Sequence, residues 1–295
     1  MPNESVFLTG ATGTVGSGIL EVLVSAGFEV HCLVRRADAA QSITQAGGRA
    51  VLGDMTDSEL FRRLSGRLGF TYIIHAAQAH YRHHPKEEIH RQERIAVGNL
   101  ETLRGPETRL MVFTCGVWIY GNCAKGSFID ESTTHTPREA AAGRSLLMTE
   151  LAARRDSRWA KFCLPSFVYG STGPLIDIAN RFRDGDVEVL DDESVLWSVI
   201  ERLDLGRAYL ALLRCGKPGD YYLVAENAPV SVVVLHETIA GHLQCGHVIR
   251  KPSTQLARTS TSHPVNSERF KQNTGWRARE SFMTSFARFL PARRR

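Results

Sequence analysis

The chain has 295 residues, of which 43% are hydrophobic and 23% charged, so it can bury a full core as one globular unit. Its net charge is +5, and three of those charges lie in the terminal Arg293–Arg295, so the remainder is too small to indicate a nucleic-acid partner. The six cysteines form no C-x-x-C pair, which argues against a zinc site or a disulfide framework and indicates a reducing compartment. No apolar run reaches about 18 residues and no signal segment opens the chain, so we expect a soluble, cytoplasmic protein without a membrane partner.

Short strand patterns alternate with amphipathic helix patterns through the first half of the chain. Strands are predicted at 5–9, 29–34, 49–52, 72–75, 110–113 and 160–164. Helices are predicted at 14–26, 57–64, 86–103 and 140–155, the second of them capped by Thr56. This alternation predicts an α/β fold with a doubly wound parallel sheet.

After Pro165 the pattern becomes irregular, with predicted helices at 203–214, 232–244 and 281–289 and a short strand at 221–224. This part is too short and broken for an independent domain. We therefore predict a nucleotide-binding core at 1–170 and a small lobe at 171–295 that covers the substrate and packs on the core as one structural unit, ending in a short basic tail.

The first strand runs into a glycine-rich turn of the G-x-x-G-x-x-G type, directly before the first helix. In a Rossmann-type fold, Gly10 permits the tight turn, Gly13 lets the backbone approach a pyrophosphate, and Gly16 packs the helix on the strand. The turn therefore predicts a bound dinucleotide. The residues of the turn that we expect to contact it are Thr9, Gly10, Thr12, Gly13, Thr14, Val15 and Gly16.

The end of the second strand predicts which dinucleotide is bound. Val34 stands where a site for NAD usually has an acid, and Arg35 and Arg36 follow it. Two guanidinium groups suit a 2′-phosphate, so the sequence favours NADP(H) over NAD(H). Asp54 and Met55 follow the third strand, where they could contact the adenine.

With these motifs in place, the chain resembles the extended short-chain dehydrogenase/reductases, the NAD-dependent epimerase/dehydratase-like group. The resemblance is carried by the turn at 9–16, Gly53-Asp54-Met55, Ile74-His75-Ala76-Ala77, the segment 117–121, Pro165 with Val168-Tyr169-Gly170, and the segment 203–208. It implies hydride transfer between a nicotinamide and a carbonyl or alcohol. It also implies cofactor contacts from Ala76, Ala77, Gln78 and Pro165.

The catalytic residues that the resemblance implies are replaced in this chain. The family pattern Tyr-x-x-Ser-Lys-x-x-x-Glu aligns on Ser145 and Glu150, which puts Ala142 at the tyrosine and Leu146 at the lysine. Gly116 stands at the serine or threonine position. We expect Ala142 and Leu146 to face the nicotinamide end of the cleft.

Other residues could supply a proton at the same end of the sheet. The loop after the fourth strand contains His80 and Tyr81, and imidazoles transfer protons near neutral pH. Thr114 could orient a substrate oxygen, and Tyr169 follows the sixth strand. A metal site at His80, His83 and His84 is a weaker hypothesis because the loop has no acidic partner, and we predict no metal.

Three functions remain compatible with the sequence. The first is an NADP(H)-dependent reductase that acts on a small organic carbonyl or conjugated substrate of a specialised-metabolite type. The second is an isomerase, cyclase or dehydratase in which the cofactor is structural or absent. The third is a binding protein that senses NADP(H). A homodimer is compatible with all three.

Overall fold

A computed structural model describes residues 4–78, 85–137, 139–154, 157–164, 167–226, 228–252 and 261–290. Its centre is a parallel seven-stranded sheet in the order β3-β2-β1-β4-β5-β6-β11. Those strands are β1 Ser5–Thr9, β2 Glu29–Val34, β3 Arg49–Leu52, β4 Tyr72–His75, β5 Leu110–Gly116, β6 Trp159–Leu164 and β11 Tyr221–Leu223. The strand order reverses direction between β1 and β4, and the carboxyl ends of strands at such a point form the ligand crevice of this class of sheet.

Helices cover both faces of the sheet. The helices of the described residues, including those of the lobe, are α1 Thr14–Ser25, α2 Ala37–Gln45, α3 Ser58–Ser65, α4 Lys86–Thr102, α5 Glu139–Ala153, α6 Pro174–Asp184, α7 Arg202–Cys215, α8 Val232–Leu243, α9 Glu268–Thr274 and α10 Phe282–Ser285. One apolar core lies between the sheet and α1, α2 and α7, and a second lies between the sheet and α3, α4 and α5. The predicted doubly wound α/β fold is confirmed.

Most predicted elements lie within two residues of the observed ones, but helices α2, α6 and α9 and most of the short lobe strands were not predicted. The nine-residue α2 buries only Ile43. The cap of α3 is Asp57 and not Thr56: the Asp57 carboxylate accepts from the backbone N–H of Leu60 at 3.1 Å. Among the described helices, none is long and apolar enough to span a membrane.

The C-terminal part of the chain contributes to both the sheet and the lobe. Its strand β11 pairs in parallel with β6 at the edge of the central sheet, and α7 packs along α1. The lobe has its own apolar core around α6, α8 and α10. Its short strands are β7 Phe167–Tyr169, β8 Val187–Leu190, β9 Leu196–Trp197, β10 Val199–Glu201, β12 Val230–Ser231 and β13 Val248–Lys251.

Two glycines allow the close approach of α1 and α7. A Cβ atom on Gly18 would lie 2.2 Å from the carbonyl oxygen of Arg202, and one on Gly206 would lie 2.3 Å from that of Gly18. The backbones of the two helices therefore touch, and this contact holds the C-terminal part of the chain against the helix that follows the glycine-rich turn.

Candidate cofactor site

The glycine-rich turn has the conformation that a phosphate site requires. Gly10 has a φ of +79°, and a Cβ atom there would lie 2.7 Å from the backbone nitrogen of Ala77. A Cβ atom on Gly16 would lie 2.1 Å from the carbonyl oxygen of Gly10. Only glycine fits at these two positions, and as a result the turn lies flat against the ends of β1 and β4.

The amino end of α1 is left open for an anion. Gly13 is the N-cap, no side chain caps this end, and the first turn contains no acidic residue. Thr12 and Gly13 are exposed, and the Thr14 hydroxyl lies 3.1 Å from that of Thr172. Uncapped N–H groups and the positive end of the helix dipole favour a phosphate group at this place, so the turn fits a dinucleotide.

The end of β2 presents the two predicted arginines. Val34 is buried, whereas Arg35 and Arg36 are exposed. Asp38 binds the Arg36 guanidinium through two hydrogen bonds of 2.9 and 2.8 Å, and this contact raises the pKa of Arg36. A cavity of about 540 Å³ lies beside the turn, with Thr12 and Arg36 in its wall. Arg35 has no such carboxylate contact among the described residues.

The predicted adenine contacts lie on the loop after β3. The Asp54 carboxylate accepts from the backbone N–H and the hydroxyl of Thr56, at 2.9 and 2.7 Å. The carbonyl oxygen of Met55 accepts from the Asn99 side chain at 2.9 Å, which ties the loop to α4. Ala76 and Ala77 are half-buried at the end of β4 and Gln78 is exposed.

A buried polar chain runs from the turn to the other half of the crevice. The backbone N–H of Ala77 donates to the Thr9 hydroxyl, which lies 2.8 Å from Nδ1 of His75. Nε2 of His75 lies 3.3 Å from the Glu93 carboxylate. Burial lowers the pKa of His75, so the ring is neutral, with Nδ1 accepting from Thr9 and Nε2 donating to Glu93.

The chain ends at Arg144, a residue to which the sequence patterns assigned no role. Its guanidinium lies 3.3 Å from Glu93 and donates to the carbonyl oxygens of Thr114, at 2.7 Å, and Ala77. The signal that could have identified it is the buried face of α5, on which Arg144 precedes Leu147, Met148 and Leu151 at helical spacing. The sequence therefore brings a cation from α5 to the ends of β4 and β5, two residues before Leu146, which stands where the family pattern has its lysine.

Ala142 and Leu146 lie on a different face of α5 from Arg144. Both are exposed, and Leu146 is 50% exposed. Residues two apart on a helix point about 200° apart, so neither side chain points toward the strand ends that Arg144 reaches. Their exposure is compatible with a place on the cleft wall, and the expectation that they face the nicotinamide end stays a prediction.

The candidate catalytic residues have different surroundings. The Thr114 hydroxyl lies 2.6 Å from the hydroxyl of buried Tyr209 on α7. Tyr169 is fully buried in the lobe, where its hydroxyl lies 3.2 Å from Glu226 and 2.9 Å from Ser285, and burial raises its pKa. Because its hydroxyl has two protein partners and no exposure, this placement favours a packing role for Tyr169. His80, Tyr81 and Pro165 lie outside the described residues, as do His83 and His84.

A doubly wound parallel sheet with an open, glycine-rich phosphate turn at its switch point defines a nucleotide-binding α/β protein. The model of the NAD dependent epimerase/dehydratase family matches residues 6–225. The chain belongs to this family, as the resemblance in its motifs implied.

Individual relatives give the range of activities in the family. A candidate dihydroflavonol 4-reductase of Synechocystis is 29% identical over 81% of this chain and 73% of its own length. A quinoline-oxide ketoreductase of Stigmatella aurantiaca is 24% identical over 77% of this chain and 69% of its own length. Among solved structures, the UDP-glucose 4-epimerase of Thermus thermophilus, in complex with NAD, superposes with a TM-score of 0.81 at 20% identity, over 97% of each chain. Several of these solved structures are complexes with NAD.

Proposed function

We propose that the protein is an NADP(H)-dependent reductase of a small organic carbonyl or conjugated substrate. The observation that carries the proposal is the open phosphate turn next to strand β2, which ends on Val34 instead of an acid and is followed by Arg35 and Arg36. An acid there would accept from the ribose hydroxyls of NAD and repel a 2′-phosphate, whereas arginines attract one. The bound nicotinamide would supply or accept the hydride.

The named activities of two relatives support the reductase proposal. One relative is named as a ketoreductase and the other as a candidate dihydroflavonol reductase, and both names describe reduction of a ketone on an organic molecule. A specialised-metabolite substrate follows from these names and not from a pocket of this chain.

Cofactor preference is the first test. NADPH and NADH are titrated into the protein by nucleotide fluorescence, and we expect NADPH to bind more tightly. Replacing Arg35 and Arg36 together with alanine should remove the preference, while Arg62→Ala, an exposed arginine on α3, should keep it. Equal affinities in the unmodified protein would disprove the NADP(H) proposal.

Proton delivery is the second test. We propose that His80 or Tyr81 delivers the proton, with Thr114 orienting the substrate, since Tyr169 is enclosed by protein groups. The rate of NADPH consumption is measured for His80→Ala, Tyr81→Phe and the unmodified protein, with a panel of ketones and conjugated carbonyls as substrates. The variant that lacks the general acid should have a kcat lower by roughly 10²- to 10⁴-fold. The dependence of its kcat on pH should also differ from that of the unmodified protein. Unchanged rates in both variants would exclude the two residues as the acid.

A non-redox isomerase, cyclase or dehydratase is the second candidate. It is favoured by Ala142 and Leu146, which cannot donate a proton or lower the pKa of a phenol, and by the epimerases and dehydratases in the family. Conversion of substrate at full rate by protein stripped of nicotinamide would favour this candidate over the reductase.

A further inference from the structure

Arg144 lies in the half of the crevice away from the two arginines of β2. It reaches the carbonyl oxygens of Ala77 after β4 and Thr114 on β5, on the far side of the switch point from β2. A dinucleotide lies across the switch point with one nucleotide over each half of the sheet. If the adenosine half meets Arg35 and Arg36, the nicotinamide half lies on the side of Arg144.

The position of Arg144 is fixed from several sides. Its guanidinium lies over the Phe113 ring at 4.9 Å and beside the buried Glu93 carboxylate at 3.3 Å. Glu93 is in turn held by His75, which is bonded to Thr9 at the start of the phosphate turn. The cation is thus held by groups of β4, β5 and α4, and it is linked to Thr9 of β1 only through Glu93 and His75.

The guanidinium also has donors left over. It has five N–H groups, and its contacts go through the two terminal nitrogens to two carbonyl oxygens and one carboxylate. Nε is buried and donates to no atom in the part of the chain that the structure describes. A buried N–H without an acceptor is costly, so the guanidinium keeps a hydrogen-bonding capacity that the described protein atoms do not use.

We propose that Arg144 is a cofactor-positioning residue that binds the oxygen-rich nicotinamide side of the dinucleotide and provides the fixed positive charge that Leu146 cannot. The inference rests on the proposed binding of NADP(H). It assigns to Arg144 a role that differs from that of Arg35 and Arg36, because it concerns the half of the cofactor that carries the hydride.

The experiment compares two probes in the same protein: NADPH, and adenosine 2′,5′-bisphosphate, which has the adenine half without the nicotinamide. Arg144→Met should weaken NADPH binding by about tenfold to a hundredfold, the range of one or two lost charged hydrogen bonds, and leave binding of the bisphosphate unchanged. Arg144→Lys should recover part of the loss. Arg94→Met, an exposed arginine on α4, is the matched control and should change neither affinity.

Loss of Arg144 also removes the cation beside the buried Glu93 carboxylate, so folding is monitored separately. The double variant Arg144→Met with Glu93→Gln removes the charge of that carboxylate as well, and the melting temperature of each variant is measured without ligand. If the double variant melts at the same temperature as the unmodified protein and still binds NADPH poorly, the role of Arg144 in positioning the cofactor is confirmed.

The other outcomes separate the two proposals. Equal losses for both probes, or no loss for either, would overturn the role of Arg144. An unmodified protein that binds both probes but reduces no carbonyl would remove the proposed reductase and leave the role of Arg144 intact. If the unmodified protein binds neither probe, both proposals are wrong.

Discussion

Glu226 predicts a measurable dependence of stability on pH. It is buried in the lobe, where its carboxylate accepts from the backbone N–H of Phe282 at 3.1 Å and from the Tyr169 hydroxyl at 3.2 Å. Burial raises the pKa of Glu226 from an ordinary value of 4.5 to about 7. The folded protein therefore keeps this proton at pH values at which the unfolded chain has released it.

The sign and size of the effect follow from this difference. Between about pH 4.5 and pH 7 the folded state binds more protons than the unfolded state, so the free energy of unfolding falls as the pH rises. A pKa difference of this size corresponds to about 3 kcal/mol, which is fully lost above pH 7. Glu226→Gln cannot ionise, and its amide can still accept from Phe282, so it should escape that loss.

The assay is thermal unfolding from pH 5 to pH 8. At pH 8 Glu226→Gln should melt roughly 5 °C above the unmodified protein, and the difference should shrink toward pH 5. Glu237→Gln removes an exposed carboxylate of α8 that is paired with Arg250, and it should not change the pH dependence. A Glu226→Gln variant that melts at or below the unmodified protein at pH 8 would refute the reasoning.

Three further substitutions test the fold and the site. Gly18→Ala would place a Cβ atom 2.2 Å from the Arg202 carbonyl oxygen, so it should lower the free energy of unfolding by roughly 1–3 kcal/mol. Gly241→Ala on α8 is the control: its Cβ atom would have nothing within 4 Å, so this variant should be as stable as the unmodified protein or slightly more stable. Gly16→Ala should displace the phosphate turn and therefore weaken NADPH binding by about tenfold or more in a fluorescence titration. An unchanged affinity for NADPH would contradict the proposed role of the turn. Tyr169→Phe should lower the melting temperature without changing kcat, and a large loss of kcat in a stable variant would restore Tyr169 as a catalytic candidate.

The core of the fold was predictable because the apolar patterns of its strands and the turn residues between them indicate the same elements. Each of the six core strands predicted in the first half is apolar and bounded by a turn, and the glycines of the phosphate turn have spacing that few other structures require. The edge strand β11 was predicted as a strand but not as part of this sheet, because its partner β6 lies nearly sixty residues earlier in the chain.

The chemical site was less predictable because it depends on which way single side chains point. The motif alignment on Ser145 and Glu150 drew attention to Leu146, whereas the buried cation that contacts the ends of β4 and β5 is Arg144, two residues earlier. Tyr169 looked available because it follows a strand, yet residues of α10, more than a hundred positions later, enclose it. Contacts of that range leave no mark on local sequence.

The position of β11 has a consequence for how the chain can fold and be divided. During synthesis on the ribosome, β6 is made well before β11, the strand that pairs with its outer edge. Until β11 is added, the edge of β6 is unpaired, and an unpaired strand edge is a template for aggregation. A fragment cut after residue 170 would keep that edge permanently and would also lack α7, leaving the α1 face of the first core uncovered. Expression of such a fragment should give insoluble protein, and the shortest piece that folds independently should extend beyond Leu223.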